Sequence, residues 1–244
     1  MNLYQTLLKD ALAGKKKFAV LIDPDKYSRD SISRVVNLSI NAGVDYFFLG
    51  GSLLIQDNQS QLITFIKENS GIPVVLFPGN NMQLNDKADS ILLLSLISGR
   101  NPDMLIGRHV ISAPYLKASN LEIISTGYML IDSGGSTAVT YMSNTTPIPS
   151  DKNDIAVCTA MAGEMLGMKV IYMDAGSGAN NPVPMPMITK VKEAISVPLI
   201  IGGGINGPEQ TNDAFNAGAD VVVVGNAIEK DPDLIPRIAV VRHP

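Results

Sequence analysis

The chain has 244 residues and a mass of 26.0 kDa, and its 45% hydrophobic fraction is enough to bury a large core and excludes disorder. Its 19 basic and 23 acidic residues leave a formal net charge of -4, so there is no diffuse positive field for a nucleic-acid backbone. One cysteine, Cys158, and two histidines, His109 and His243, exclude a disulfide framework and structural zinc, point to a reducing, cytoplasmic setting, and offer no recognisable nucleophile motif.

At the N-terminus, Leu3, Leu7, Leu8, Ala11 and Leu12 are spaced as one face of a packed helix, with interrupting charges and no cleavage site of a signal segment. Eight short apolar runs follow: FAVLI at 18–22, DYFFL at 45–49, PVVLF at 73–77, SILLL at 90–94, EIISTGYML at 122–130, KVIYM at 169–173, PLII at 198–201 and DVVVV at 220–224. Most are apolar at successive positions, as parallel strands covered on both faces must be. Even the longest falls far short of the roughly 20 residues that a membrane-spanning helix needs. Helix signals lie between the runs. Ser28 caps a segment with Ile32, Val35, Val36 and Ile40 on one face and Gly43 at its end, and Asn206, Gly207 and Pro208 open another.

AGVDYFFLGGS at 42–52 parallels AGADVVVVGNA at 217–227, which implies a repeated βα unit. Eight such units in this length predict an α/β fold, a (β/α)8 barrel of the TIM type spanning 1–244 as a single domain. Two departures from the ideal are legible. Only PGNNMQLNDKAD separates Phe77 from Ser90, so the third helix is expected to be missing or replaced by a loop. After the fifth strand, the Gly-, Ser-, Thr- and Pro-rich stretch 132–153 is longer than a βα loop requires. It reads as a lid or small hairpin over the site, or as a surface insertion.

Working groups of this fold sit at the carboxyl ends of the strands. The seventh strand ends in Gly202, Gly203 and Gly204, and the eighth in Gly225 and Asn226. Glycines admit an anion close to the main chain, and the amides at a helix start donate to it, so these ends predict a phosphate cup. The sixth strand runs into YMDAGSGAN, where Ser177 completes the cup and Asp174 is placed to accept hydrogen bonds from ligand hydroxyls. The first strand ends in LIDPDK and the second in LGGS. Asp23, with Asp25 beyond Pro24 and the hydroxyl of Ser52, makes an oxygen-rich corner suited to a hard cation such as Mg2+. Lys26 reads as a charge partner for a phosphorylated ligand. There is no P-loop and no dinucleotide fingerprint.

Taken together, LIDPDK, FLGGS, VVLFPGN, YMDAGSGA, GGGI and GN, in this order over residues 18–226, resemble the geranylgeranylglyceryl phosphate synthase family and its bacterial heptaprenylglyceryl phosphate synthase relatives. The resemblance implies a magnesium-dependent prenyltransferase that moves a polyprenyl group, geranylgeranyl in this reading, from its diphosphate to the C3 hydroxyl of sn-glycerol 1-phosphate. The product is an ether lipid precursor. By motif, Asp23 and Ser52 bind magnesium. Tyr172, Met173, Asp174, Ala175, Gly176, Ser177, Gly178, Gly203, Gly204, Gly225 and Asn226 bind the glycerol phosphate, with Asp174 as the catalytic residue that orients or deprotonates the hydroxyl. The family has Leu-Glu where this chain has Met173-Asp174, which shortens that carboxylate by one methylene. A prenyl tail also requires an apolar trough, for which Met104, Ile106 and Tyr115 in 95–116 are candidates. A homo-oligomer and transient contact with a membrane surface are expected. Another phosphate-binding barrel, such as a sugar-phosphate isomerase or lyase, and a non-catalytic sugar-phosphate sensor are the alternatives.

Overall fold

The computed structural model describes residues 2–56 and 58–242, so His243 lies outside the described residues. All eight apolar runs form strands: β1 (Lys17–Ile22), β2 (Tyr46–Leu49), β3 (Val74–Leu76), β4 (Ser90–Leu96), β5 (Glu122–Leu130), β6 (Val170–Asp174), β7 (Leu199–Gly202) and β8 (Val221–Val224). They pair in sequence order, all parallel, and close through β1 and β8, with Lys17 opposite Val221. Successive side chains point to opposite faces, so each strand feeds two cores. Phe48, Leu92, Tyr128, Tyr172, Ile200 and Val223 fill the barrel. Phe47, Ile91, Met129, Met173, Ile201 and Val222 pack outward under the helices.

Helix α1 (Leu3–Leu12) joins the inner core through Leu3 and Leu7. Glu122 accepts from the amides of Leu3 at 2.6 Å and Tyr4 at 2.9 Å, satisfying two donors that a helix start leaves open. Leu12, expected on the packed face, is 75% exposed, because this face turns away from the barrel before the last turn. α2 (Arg29–Ala42) carries the expected signals: Ser28 and Ser31 form a reciprocal capping box, and Gly43 ends the helix in the left-handed region. Ser39, not Ile40, completes its buried face.

α3 (Gln59–Asn69) leads to β3. Between β3 and β4 there is only a 3-10 turn at Asn81–Gln83, so the third crossover helix is replaced by a loop. β3 and β4 pair through just Val75–Ser90 and Leu76–Ile91. A π turn at Asp103–Gly107 then runs into α4 (Arg108–Ala118), which contains Pro114 and buries only Ser112 and Leu116. The long connection after β5 forms no hairpin. It folds as α5 (Ala138–Ser143) with one parallel bridge between Ile131 and Ile148, and α6 (Asn153–Met165) follows. α7 (Met185–Ala194), α8 (Pro208–Asn216), α9 (Asn226–Lys230) and α10 (Leu234–Val240) complete the ring. Among the described residues no helix is long and apolar enough to cross a membrane.

Candidate active site

The carboxyl ends of the strands surround a cavity of about 1250 Å³, above the few hundred to about 1,000 Å³ usual for a single small ligand. Strand alternation sets its floor. On β6, Tyr172 and Asp174 point inward and Met173 and Ala175 outward, where both are buried in the outer core. Met173 and Ala175 therefore offer a ligand no side chain, a correction to the contiguous 172–178 reading imposed by the two-residue period of the strand. Tyr172 stacks on Phe77 with ring centroids 5.0 Å apart, and Tyr128, opposite Tyr172 in the β5–β6 register, lies 5.6 Å from it.

Above this aromatic floor sits Asp174. The Tyr128 hydroxyl donates to its Oδ2 at 2.6 Å, and the Gly176 amide donates to its Oδ1 at 2.7 Å. Burial pushes the Asp174 carboxyl above the usual carboxylate range, and the two hydrogen bonds pull the other way. The Tyr128 and Tyr172 hydroxyls are pushed up, chiefly by burial and then by the Asp174 charge, so both stay protonated donors. Asp174 is thus oriented by two donors and kept more basic than an exposed carboxylate.

The residues expected to form a phosphate cup lie beside it. Gly176, Ser177, Gly178, Gly203, Gly204, Gly225 and Asn226 all line the cavity. The Ser177 hydroxyl donates to Asn226 Oδ1 at 3.1 Å and joins the ends of β6 and β8. Gly203 adopts φ +76°, and a Cβ there would lie 2.5 Å from both Asp174 Oδ1 and the Gly176 nitrogen, so only glycine fits. The amides of Ser177, Gly204 and Asn226 donate to no acceptor among the described residues and are free to receive an anion.

Across the mouth, Asp23 continues the inward row of Ala19 and Leu21 and lines the cavity with Ser52. A Cβ on Gly51 would lie 3.4 Å from the Asp23 carboxylate, so the ends of β1 and β2 are in contact. Partial burial raises the Asp23 pKa, Asp25 adds to this by charge, and the Asp25 amide and Lys26 oppose it. Asp25 is engaged elsewhere: its carboxylate accepts from the amides of Ile55 at 2.6 Å and Gln56 at 3.0 Å. It is a clamp on the β2–α3 loop. The donor set fits Mg2+ shared with substrate phosphates, since one carboxylate and one hydroxyl suffice for an ion that keeps waters and phosphate ligands. No group of three or more His, Cys, Asp or Glu side chains among the described residues forms a closed metal cage. Lys26 and Lys230 line the same corner.

On its remaining side the cavity is apolar, with Leu84, Ile91, Leu93, Met104, Val139 and Met142 in its lining. Ile91 and Leu93 face outward from β4; Ile91 is fully buried in the outer core, and Leu93, half-buried, is the one a third crossover helix would cover in a regular barrel. Of the predicted trough residues, Met104 lines the cavity. Ile106 and Tyr115 do not, and they are 60% and 43% exposed. The π turn widens the helical repeat between them and rotates α4 out of the phase that sequence spacing assumes. α5 borders the cavity: Val139 packs on the inner core, and Tyr141 and Met142 are in the lining.

Sequence reasoning missed Tyr128, Phe77 and Gln83. Tyr128 was within reach, since it stands two residues before the end of its strand with the inward parity of Leu130; Gln83 had no such signal.

A family profile described as the PcrB family matches residues 12–241. Geranylgeranylglyceryl phosphate synthases of Spirosoma linguale and Chitinophaga pinensis are 53% and 54% identical to this chain, covering 97% and 99% of it and 95% and 96% of their own lengths. A crystal structure of (S)-3-O-geranylgeranylglyceryl phosphate synthase from Thermoplasma acidophilum, in complex with the substrate sn-glycerol-1-phosphate, superposes with a TM-score of 0.93 at 28% identity, covering 99% of this chain and 98% of that one. The family profile over nearly the whole chain and these matches agree: the chain belongs to the PcrB family.

Proposed function

We propose that this protein transfers a polyprenyl group, geranylgeranyl first among the candidates, from its diphosphate to the C3 hydroxyl of sn-glycerol 1-phosphate. The observation that carries this reading is a single cavity in which an anion cup and an apolar trough meet at one buried carboxylate. The cup holds the phosphate through the Ser177, Gly204 and Asn226 amides and leaves the glycerol hydroxyls directed at Asp174. The allylic C1–O bond to diphosphate breaks, the C3 oxygen bonds to C1, and Asp174 accepts the hydroxyl proton or orders the hydroxyl for its loss to solvent. Asp23 and Ser52 would hold Mg2+ with the diphosphate. When bound, the ion supplies charge neutralisation for the leaving group. Lys26 and Lys230 add positive charge at the same corner. The aromatic floor of Phe77, Tyr128 and Tyr172 closes the bottom of the site.

A cytoplasmic setting, homo-oligomeric assembly and transient contact with a membrane surface belong to the same proposal. The single cysteine supports the first, and the 66% and 72% exposed Val110 and Ile111 of α4 are apolar surface that a second copy would cover. The test is radiolabelled glycerol 1-phosphate with a ladder of C10 to C35 prenyl diphosphates, with and without magnesium. Organic-extractable ether product and released diphosphate, both abolished by chelator, are expected. Turnover of a sugar phosphate without prenyl diphosphate would point to an isomerase or lyase, and binding without any turnover to a sensor.

A further inference from the structure

Ser52 sits in an irregular stretch between β2 and α3, at the edge of the gap left by the missing crossover helix. Backbone there cannot be steadied by helix packing, yet a ligand-facing hydroxyl has to be held to within a fraction of an ångström. What holds it is the 3-10 turn in that gap. Gln83 is 1% exposed, and its side-chain amide is almost fully spent on the neighbouring strand ends. Its Oε1 accepts from the Gly51 amide at 3.3 Å and the Gly79 amide at 3.1 Å, and its Nε2 donates to the Gly51 carbonyl at 2.7 Å. The Gln83 carbonyl accepts from the side chain of Gln59, the first residue of α3, at 2.9 Å. One residue thus joins the end of β2, the end of β3 and the start of α3.

The two loops it binds are in direct contact, because a Cβ on Gly79 would lie 2.9 Å from the Ser52 Cα. The turn is itself anchored, with the Gln83 amide donating to the Asn80 carbonyl and the Met82 amide donating to Asn80 Oδ1. Arg108 of α4 donates to the Gly79 carbonyl at 2.7 Å from the far side. Ser52 therefore lies between two polar clamps, Gln83 on Gly51 and Asp25 on Ile55 and Gln56.

We propose that Gln83 is a positioning residue of this site: through Gly51 and Gly79 it sets Ser52 and the metal- and diphosphate-binding corner where the fold has given up a helix. The inference rests on the prenyltransferase reading for its substrates and on the hydrogen bonds for its geometry. A buried amide with three such bonds has no neutral replacement, since methionine keeps the shape and loses every bond, and glutamate sets a carboxylate oxygen against the Gly51 carbonyl.

The experiment compares the full chain with Gln83→Met and Gln83→Glu. Steady-state constants are read for geranylgeranyl diphosphate and for glycerol 1-phosphate separately, Mn2+ binding is read by electron paramagnetic resonance, and Tm by circular dichroism. In Gln83→Met the KM for geranylgeranyl diphosphate is expected to rise about 10- to 100-fold with a matching loss of Mn2+ affinity, and the KM for glycerol 1-phosphate to stay within about twofold. A lower Tm with all three constants unchanged, or equal losses for both substrates, overturns the assignment. If Gln83→Met does not fold, Gln83→Glu is held to the same split. Should the unaltered protein transfer no prenyl group, the reaction assignment fails, while Mn2+ binding by the two variants still decides the role of Gln83.

Discussion

The mouth of the barrel is built in two ways. From β6 to β8 the strand ends are short glycine turns, cross-linked by Ser177 and Asn226. From β3 to β4 two residue pairs hold the strands, no helix crosses over, and the next helix begins with a π turn and carries Pro114. In the proposed reaction the first region recognises a small anion, which demands main-chain donors at fixed positions. In that proposed reaction the second accepts a long apolar chain, which demands only surface. Omitting a helix leaves Leu93 only partly buried beside the fully buried Ile91, without a single specialised side chain. Precision and accommodation are thus assigned to opposite sides of one ring, with Asp174 between them.

The comparison breaks most sharply at the corner proposed to serve the leaving group. Asp23→Asn is expected to cut turnover by about 100- to 1,000-fold, as removal of a group that stabilises developing charge does, with a higher magnesium requirement. Asp25→Asn keeps an acceptor for one of the two amides and is expected to cost less than about tenfold. A magnesium titration of both variants checks the order, and a larger loss at Asp25 would reverse the assignment.

Next comes the group between the regions. Asp174→Asn should reduce turnover about 10- to 150-fold, the worth of a charge-assisted hydrogen bond to the ligand. Its stability effect has the opposite sign. Burial raises the folded carboxyl above its unfolded value, so the stability it contributes is present below the ordinary carboxylate range and is lost as pH rises through the folded value. Removing the charge should hold or raise Tm at pH 7 in the unliganded protein, and activity of the parent should fall as pH drops through the same range. Thermal unfolding and a pH–rate profile read both; a variant with lower Tm and full activity would contradict the account.

The smallest effect belongs to the accommodating side. Met104→Trp should narrow the trough and lower kcat/KM for C20 and longer diphosphates a few-fold to about tenfold, with C10 use nearly unchanged. A uniform loss across the ladder would place Met104 outside the path of the tail.

The contrast also governs what the amino-acid sequence discloses. Glycines and short polar motifs at strand ends are visible as residues, so Asp23, Ser52, Ser177, Gly203 and Asn226 could be placed at the mouth before any coordinates. The eight strands were legible because each is an apolar run with punctuation on both sides. Features that depend on phase or partners were not. Met173 and Ala175 turn away by strand parity, and the π turn moved Ile106 and Tyr115 out of the trough. Gln83 looks like any polar turn residue until its three bonds are seen, and Asp25 acts on amides some 30 positions along the chain.

Barrel closure has a consequence for how the chain folds. β1 finds its second partner only in β8, with Phe18 opposite Val222, and Arg242 then pairs with Asp45 beside the start of β2. These contacts join the two ends of the sequence, and contacts of such separation form late. During synthesis β1 therefore waits with one unpaired edge until the last strand arrives. That waiting edge, rather than any residue of the mouth, is where the growing chain is most exposed to pairing with a neighbour.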